Sequence, residues 1–212
     1  MRFDAPLRLV ADGLACIRGG RVVFEGLSFA VASGEALVVT GPNGTGKSSL
    51  LRQIAGLVEI AGGDLALEGG DKEATLAEQA HYIGHLDALK PSMSVGETAN
   101  FWAAFFDGEA DVEAALEAFD LAALADLPVA YLSAGQRRRL ALSRLLAAPR
   151  PLWLLDEPTV ALDAASLSRL VALMEDHLAR GGIVVAATHQ TLGLARTASL
   201  DLSSIRRRVD AA

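Results

Sequence analysis

One cysteine, Cys16, stands among 212 residues, so no internal disulfide can staple this chain and no cysteine-rich zinc site can form. Its plain reading is a small apolar residue on an early strand. Long apolar runs are missing too. Hydrophobic residues reach 51% and the mean hydropathy is +0.33, yet the stretches Ala36–Thr40, Leu152–Leu155 and Ile183–Thr188 are strand-sized, far short of the ~20 residues a spanning helix needs. Net basic charge is also absent. A formal charge of −7 and a pI near 5.1 argue against non-specific nucleic-acid binding, which needs a basic face to neutralise phosphates. The opening Met1–Pro6 carries Asp4 and Pro6 where a secretory signal would have an apolar core, and the expectation is a cytoplasmic protein with no membrane span of its own. Arg206-Arg207-Arg208 reads as a solvated tail, with contact to anionic lipid as the alternative.

The length fits one compact α/β domain, or one with a small helical appendage. Leu7–Ile17 and Val22–Val31 alternate like strands around the turn signal Gly19-Gly20, and Ser33-Gly34 leads into a buried strand at Ala36–Thr40. Ser48–Leu57 reads as a helix closing near Gly56. From about Ala88 to Leu132 the chain is helical in character: Val112, Ala115, Leu116 and Phe119 form one apolar stripe among acidic neighbours. Phe101, Trp102, Phe105 and Phe106 are expected mostly in the core of that helical part, with one or two rings exposed to a partner. Arg137–Leu146 reads as an amphipathic basic helix. Leu152–Leu155 follows as a strand, Ala164–Arg180 as a helix stopped by Gly181-Gly182, and Ile183–Thr188 as a last strand. Such alternation predicts a mostly parallel sheet covered on both faces.

Gly41-Pro42-Asn43-Gly44-Thr45-Gly46-Lys47-Ser48 matches G-x-x-x-x-G-K-[ST], after an apolar strand and before a helix. Glycines let the backbone wrap phosphates so that successive N–H groups point inward, and the helix N-terminus adds a positive dipole. Lys47 is expected to reach the β- and γ-phosphates and Ser48 to ligate Mg²⁺. Alone, the motif says nucleoside triphosphate and no more. Leu152–Leu155 runs into Asp156-Glu157; Asp156 is the expected second Mg²⁺ residue and Glu157 the residue that polarises the attacking water. An apolar strand ending in acid is common by itself. Paired with the phosphate loop it becomes specific.

Leu132-Ser133-Ala134-Gly135-Gln136, shortly before the Asp156 strand, resembles the L-S-G-G-Q signature of ABC ATPases, with Ala134 in place of a glycine. The resemblance runs from about Leu9 to Gln190: Ala161-Leu162-Asp163 is similar to the family's dimer-contact loop and Thr188-His189 to its switch histidine. It implies a P-loop NTPase core with a mostly parallel sheet, an N-terminal antiparallel β subdomain and a small helical subdomain at about 88–148, all in one nucleotide-binding domain spanning 1–212. It also implies ATP and Mg²⁺ as cofactors, with Gly41–Ser49 (Ser49 included), Ser133, Gly135, Gln136 and His85 at the nucleotide, Ser48 and Asp156 at the metal, and Glu157 and His189 catalytic. Two phosphate cradles imply a head-to-tail homodimer in the ATP-bound state, each signature closing on the partner's γ-phosphate. Integral membrane subunits on other chains are the further implied partners.

Two departures narrow the resemblance. Near Arg18 the family usually carries an aromatic that stacks on adenine, so the base grip is weaker or uses Arg18. His85 takes the place of the glutamine that senses Mg²⁺ and couples to the membrane subunit. Tyr82-Ile83-Gly84-His85 and Gly181–Gln190 are similar to the ATP-binding subunit of the haem exporter complex of bacterial cytochrome c maturation, which implies a place at the cytoplasmic face of the inner membrane. His81 and His85, four apart, are discounted as haem ligands because the segment reads as strand and loop. Competing readings are an ABC ATPase for another cargo, a non-transport ABC protein, and a small-molecule kinase. The long coiled-coil insertion or second cassette of the non-transport class is absent, and a kinase would lack Leu132–Gln136 and His189.

Overall fold

A computed structural model describes residues 3, 6–106 and 111–204. The Arg206–Arg208 run and, apart from Phe3 and Pro6, the Met1–Pro6 opening lie outside the described residues.

The chain begins with β1 (Arg8–Arg18) and β2 (Arg21–Ala32), an antiparallel pair joined by Gly19 and Gly20, both at positive φ. Two consecutive residues in that conformation give the hairpin turn whose twist matches the strands, and glycine takes it without strain. β4 (Gly62–Glu68) pairs with the other edge of β1, completing a three-stranded sheet in the order β2-β1-β4. The second sheet is wholly parallel among the described strands. It runs in the order β5 (Ala80–Ile83), β6 (Leu152–Asp156), β7 (Ile183–Ala187), β3 (Ala36–Thr40), β8 (Thr197–Asp201).

Alternation on the buried strands separates two cores. Leu37, Val39, Leu152, Leu154, Ile183 and Val185 pack toward α1 (Lys47–Ile54) and the antiparallel sheet. Trp153, Leu155, Val184 and Ala186 face the opposite way, against Leu140 and Leu142 of α4 (Ala134–Ser143) and Leu170 and Met174 of α5 (Ala164–Ala179). Period-2 burial thus gives each strand two apolar faces, as a covered parallel sheet requires.

Between β5 and β6 lie α2 (Val95–Phe105), α3 (Val112–Ala118) and α4. A capping box of Ser94 with Glu97 starts α2, and Asp111 caps α3. The α3 stripe is buried at Ala115, Leu116 and Phe119. Two rings of the aromatic cluster are exposed, as expected, but the other two are not in the core. Phe101 and Phe105 are exposed, Trp102 and Phe106 half-buried; Phe101 stacks on Phe105 and Trp102 on Phe106, and the two pairs meet edge to face. Smaller residues on α2, Val95, Thr98, Ala99 and Ala103, supply its buried face instead. α4 is no basic surface either: Arg138 is buried and so is Arg144 just beyond the helix, which places guanidinium groups inside the molecule.

Candidate functional site

The parallel strands β3, β6 and β7 end together, and their loops enclose a cavity of about 720 Å³ that Asn43, Lys47, Ser48, Asp156, Glu157 and His189 help to line. Crevices beyond the carboxyl ends of parallel strands are where this architecture binds ligands. Gly44, Gly46, Ser49, His85, Arg18, Val23 and Val160 complete the lining.

The phosphate loop owes its shape to backbone conformations only glycine adopts readily: Gly41, Gly44 and Gly46 have φ of 130°, 81° and 108°. At Gly46 a Cβ would also stand 2.6 Å from Val23 Cγ1, so the loop is packed under β2. Gly41, Pro42 and Thr45 stand behind the cavity wall. Lys47 Nζ donates to the Gly41 carbonyl at 2.6 Å and the Thr45 hydroxyl to the Pro42 carbonyl at 2.9 Å. The loop opens into α1, whose N-terminus has no side-chain cap and no acidic residue in its first turn. Free N–H groups and the positive dipole end therefore point into the cavity, a ready anion site.

Across the cavity Asp156 is 1% exposed at the end of β6. Its Oδ1 accepts from Ser48 Oγ at 3.1 Å, while the buried Oδ2 has no hydrogen-bond partner. A buried carboxylate oxygen without a partner is costly, and a hard cation shared with the Ser48 hydroxyl would satisfy it. Glu157 sits in the left-handed region at φ 48°, held by its N–H donating to Ala187 O of β7 at 2.8 Å. Strain of this kind costs ~1–3 kcal/mol and persists where surrounding structure enforces it. His189 Nε2 lies 3.1 Å from Lys47 Nζ, 3.2 Å from Asn43 Oδ1 and 3.7 Å from Glu157 Oε1. The phosphate loop, acidic pair and histidine named from sequence therefore meet in one place.

Ser133, Gly135 and Gln136 do not meet there. Ser133 is exposed and opens α4 with a capping box: its Oγ accepts from Gln136 N at 3.2 Å, and Gln136 Oε1 accepts from Ser133 N at 2.8 Å. Gly135 is close to the 161–163 loop, since a Cβ would stand 3.0 Å from Ala161 O. His85 lies in an exposed turn on the cavity rim, whereas His81 is fully buried with Nε2 2.8 Å from Ala148 O, so the two share no ligand site. Burial pushes the His81 imidazole down to about 3, opposed by that hydrogen bond.

Arg138 was missed in the sequence. Its guanidinium donates to Asp156 O at 3.0 Å, Glu157 O at 2.8 Å, Gly84 O at 2.9 Å and Asp87 Oδ1 at 3.0 Å. One side chain thus ties α4 to both acidic residues and to the turn holding His85. Nothing in Arg137-Arg138-Arg139 distinguishes the middle arginine except that, on a helix starting at Ala134, it shares a face with Leu142 and Ala141.

Residues 24–160 match the ABC transporter family. The chain belongs to that family. Among its relatives, the cytochrome c biogenesis ATP-binding export protein CcmA of Nitrobacter winogradskyi is 58% identical over 190 residues, covering 89% of this chain and 95% of the relative. The protein of the same description from Brucella abortus (strain 2308) is 47% identical over 207 residues, covering 97% and 96%. By these identities the chain is an ABC ATP-binding subunit of the CcmA type. A solved structure of an ATP-binding subunit of an ABC transporter superposes with a TM-score of 0.75 at 26% identity, over 85% of this chain and 79% of that one. The fold is that of a P-loop ABC ATPase. As an ABC ATPase the chain binds ATP, and among its described residues no helix is long and apolar enough to cross a membrane.

Proposed function

We propose that this chain hydrolyses ATP as the motor subunit of the export complex of bacterial cytochrome c maturation, docked on integral membrane subunits at the cytoplasmic face of the inner membrane. The observation that carries the reading is the buried Asp156, one oxygen on the Ser48 hydroxyl and the other unpartnered, directly beside Lys47 and the uncapped α1. Ser48 and Asp156 are the residues that would hold Mg²⁺, which when bound neutralises β- and γ-phosphate charge. The triphosphate lies along Gly41–Ser49, with Lys47 turned from the loop carbonyls to its oxygens. Glu157 accepts a proton from the attacking water as the water oxygen bonds to the γ-phosphorus and the bond to the β–γ bridging oxygen breaks, leaving ADP and phosphate. His189, already against Lys47, orients on the γ-phosphate.

The whole of 1–212 acts as one nucleotide-binding domain, with 88–148 as its helical subdomain. Ser133, Gly135 and Gln136 work in trans, on the nucleotide of a second copy. None of the three is among the residues that line this chain's own cavity, which supports that division. The capping box leaves the Ser133 hydroxyl proton free to donate to a phosphate oxygen. His85, on the cavity rim, couples nucleotide state to the membrane subunits, and the exposed Phe101 and Phe105 of α2 supply apolar contact area for them. Haem is the cargo class this reading favours; no side chain of the site addresses it.

Glu157→Gln tests the chemistry. The variant retains Mg-ATP affinity and hydrolyses at least ~100-fold slower, as loss of a general base predicts, and it elutes as a dimer from size exclusion with saturating Mg-ATP. Unchanged hydrolysis would refute the role of Glu157, and a monomer under those conditions would refute the trans arrangement.

A further inference from the structure

Glu157 stands in a conformation that its own sequence opposes. Its φ of 48° lies in the left-handed region, where a Cβ crowds the following carbonyl, and the next residue is the buried Pro158, whose ring pushes the residue before it toward extended backbone. Left to local preference, the chain would run on as strand past Asp156. It turns instead.

Two neighbouring elements hold the turn. From β7 the Ala187 carbonyl accepts the Glu157 N–H at 2.8 Å. From α4 the Arg138 guanidinium reaches the carbonyls: one nitrogen, Nη2, donates to Asp156 O at 3.0 Å and to Glu157 O at 2.8 Å. Successive carbonyls of an extended strand point to opposite edges, so their convergence on one nitrogen requires the chain to turn at Glu157. The Val160 N–H also reaches Glu157 O, at the longer distance of 3.3 Å. The pairing of β5 with β6 ends at Ile83 and Leu155, and Arg138 fills the open end beyond it, with Nη1 on Gly84 O at 2.9 Å.

A guanidinium is a costly group to place there. Arg138 is 3% exposed, and its ion-pair partner Asp87 keeps 24% of its side chain in water. An apolar residue on the same face as Leu142 would avoid the desolvation of a charge. Arg138 does not line the cavity, so its role is not contact with nucleotide. What it does, and an apolar residue could not, is fix the direction of the Glu157 peptide. The carboxylate follows, with Oε1 3.7 Å from His189 Nε2.

We propose that Arg138 is the positioning residue for Glu157: it imposes the left-handed conformation before Pro158 that aims the carboxylate into the cavity, and so governs turnover without governing nucleotide affinity. The inference rests on Glu157 acting on the attacking water.

The test is steady-state ATP hydrolysis by the full chain, with kcat and KM resolved, for Arg138→Met, Arg138→Lys and Arg139→Gln, with melting curves to show that each folds. Arg139 is the next residue of α4 and holds carbonyls elsewhere, Phe119 O at 2.9 Å and Asp120 O at 3.2 Å, so it reports what losing an arginine from this helix does in general. Arg138→Met, which fills space and donates nothing, should lower kcat by about 30-fold or more while KM for ATP stays within about twofold. Arg138→Lys, with three donors on a flexible stem, should recover part of that loss, to within about tenfold of wild type. Arg139→Gln should keep kcat within about twofold. Pro158→Ala added to Arg138→Met should raise kcat by about threefold or more, because it removes the ring that opposes the left-handed conformation. A folded Arg138→Met with wild-type kcat would overturn the proposal, as would a rise in KM matching the fall in kcat, no gain from Pro158→Ala, or an equal loss of kcat in Arg139→Gln. Where Arg138→Met does not fold, Arg138→Lys carries the test: a lowered kcat at unchanged KM supports the proposal and wild-type kcat overturns it. Glu157→Gln run beside these variants keeps the two readings apart. Full turnover in Glu157→Gln refutes the role of Glu157 itself, whereas a slow Glu157→Gln beside unaffected Arg138 variants refutes the positioning role alone.

Discussion

Lys47 spends its ammonium on loop carbonyls, at 2.6 Å from Gly41 O and 3.3 Å from Pro42 O, and stands 3.1 Å from His189 Nε2. These contacts hold the charge at the cavity wall, where a triphosphate supplies stronger acceptors. Lys47→Ala should therefore weaken ATP binding by about 100-fold, the worth of charge-assisted hydrogen bonds to phosphate, measured by titration calorimetry. Undiminished affinity would remove the phosphate-loop assignment. Arg138 makes the second residue-scale prediction. Its four acceptors lie on two segments, the turn at Gly84 and Asp87 and the end of β6 at Asp156 and Glu157, and truncation would leave buried carbonyls without donors. Arg138→Ala should lower stability by ~2–4 kcal/mol and also slow hydrolysis, because Asp156 and Glu157 lose a common anchor. Chemical denaturation together with steady-state ATPase assays checks both; a destabilised variant with unaltered turnover would leave Arg138 a purely structural residue.

At the scale of elements, two histidines on buried segments set a pH limit. His81 in β5 is pushed down to about 3 and His177 in α5 to about 4, each chiefly by burial; His177 also stacks on Trp153 at 4.0 Å. Both folded values lie below the unfolded value of 6.5. Above that pH neither state binds the proton and nothing is lost. Below it the unfolded chain protonates first, so stability falls with pH until the folded values are reached. Each histidine should contribute a slope of about 1.4 kcal/mol per pH unit between roughly pH 6 and 4. Denaturation midpoints across that range, for wild type and His177→Gln, measure it; the variant should lose about half of this slope.

What could be read beforehand also divides by element. The strands β3, β6 and β7 were legible because both faces are apolar, and the phosphate loop because its glycines fix its conformation. β4 and β8 were not, since Gly62–Glu68 and Thr197–Asp201 are half-exposed edge strands with little apolar signal. Trp102 and Phe106 were expected in the core because aromatic residues suggest one and are half-buried instead, since α2 buries Val95, Thr98, Ala99 and Ala103. Arg138 was hidden for the opposite reason: a charged residue in a basic run suggests solvent, and only tertiary contact shows its carbonyl partners.

For the molecule as a whole, the proposed reading makes this cavity one half of a working site, the other half coming from a second copy. Lys47, Asp156, Glu157 and His189 gather at one cavity; Gly135 lies against Ala161, and neither it nor Ser133 is among the residues lining that cavity. The exposed Ser133 and the exposed rings of Phe101 and Phe105 on α2 fit the proposed place of the chain between a second copy and membrane subunits. The central claim is that ATP hydrolysis at Glu157 drives cytochrome c maturation, and content of c-type cytochromes measures it most directly. In a strain deleted for this gene, haem-stained c-type cytochromes should be lost, restored by the wild-type copy, and not restored by Glu157→Gln expressed at the same level. Normal c-type cytochromes in the deletion strain, or full restoration by Glu157→Gln, would contradict the account.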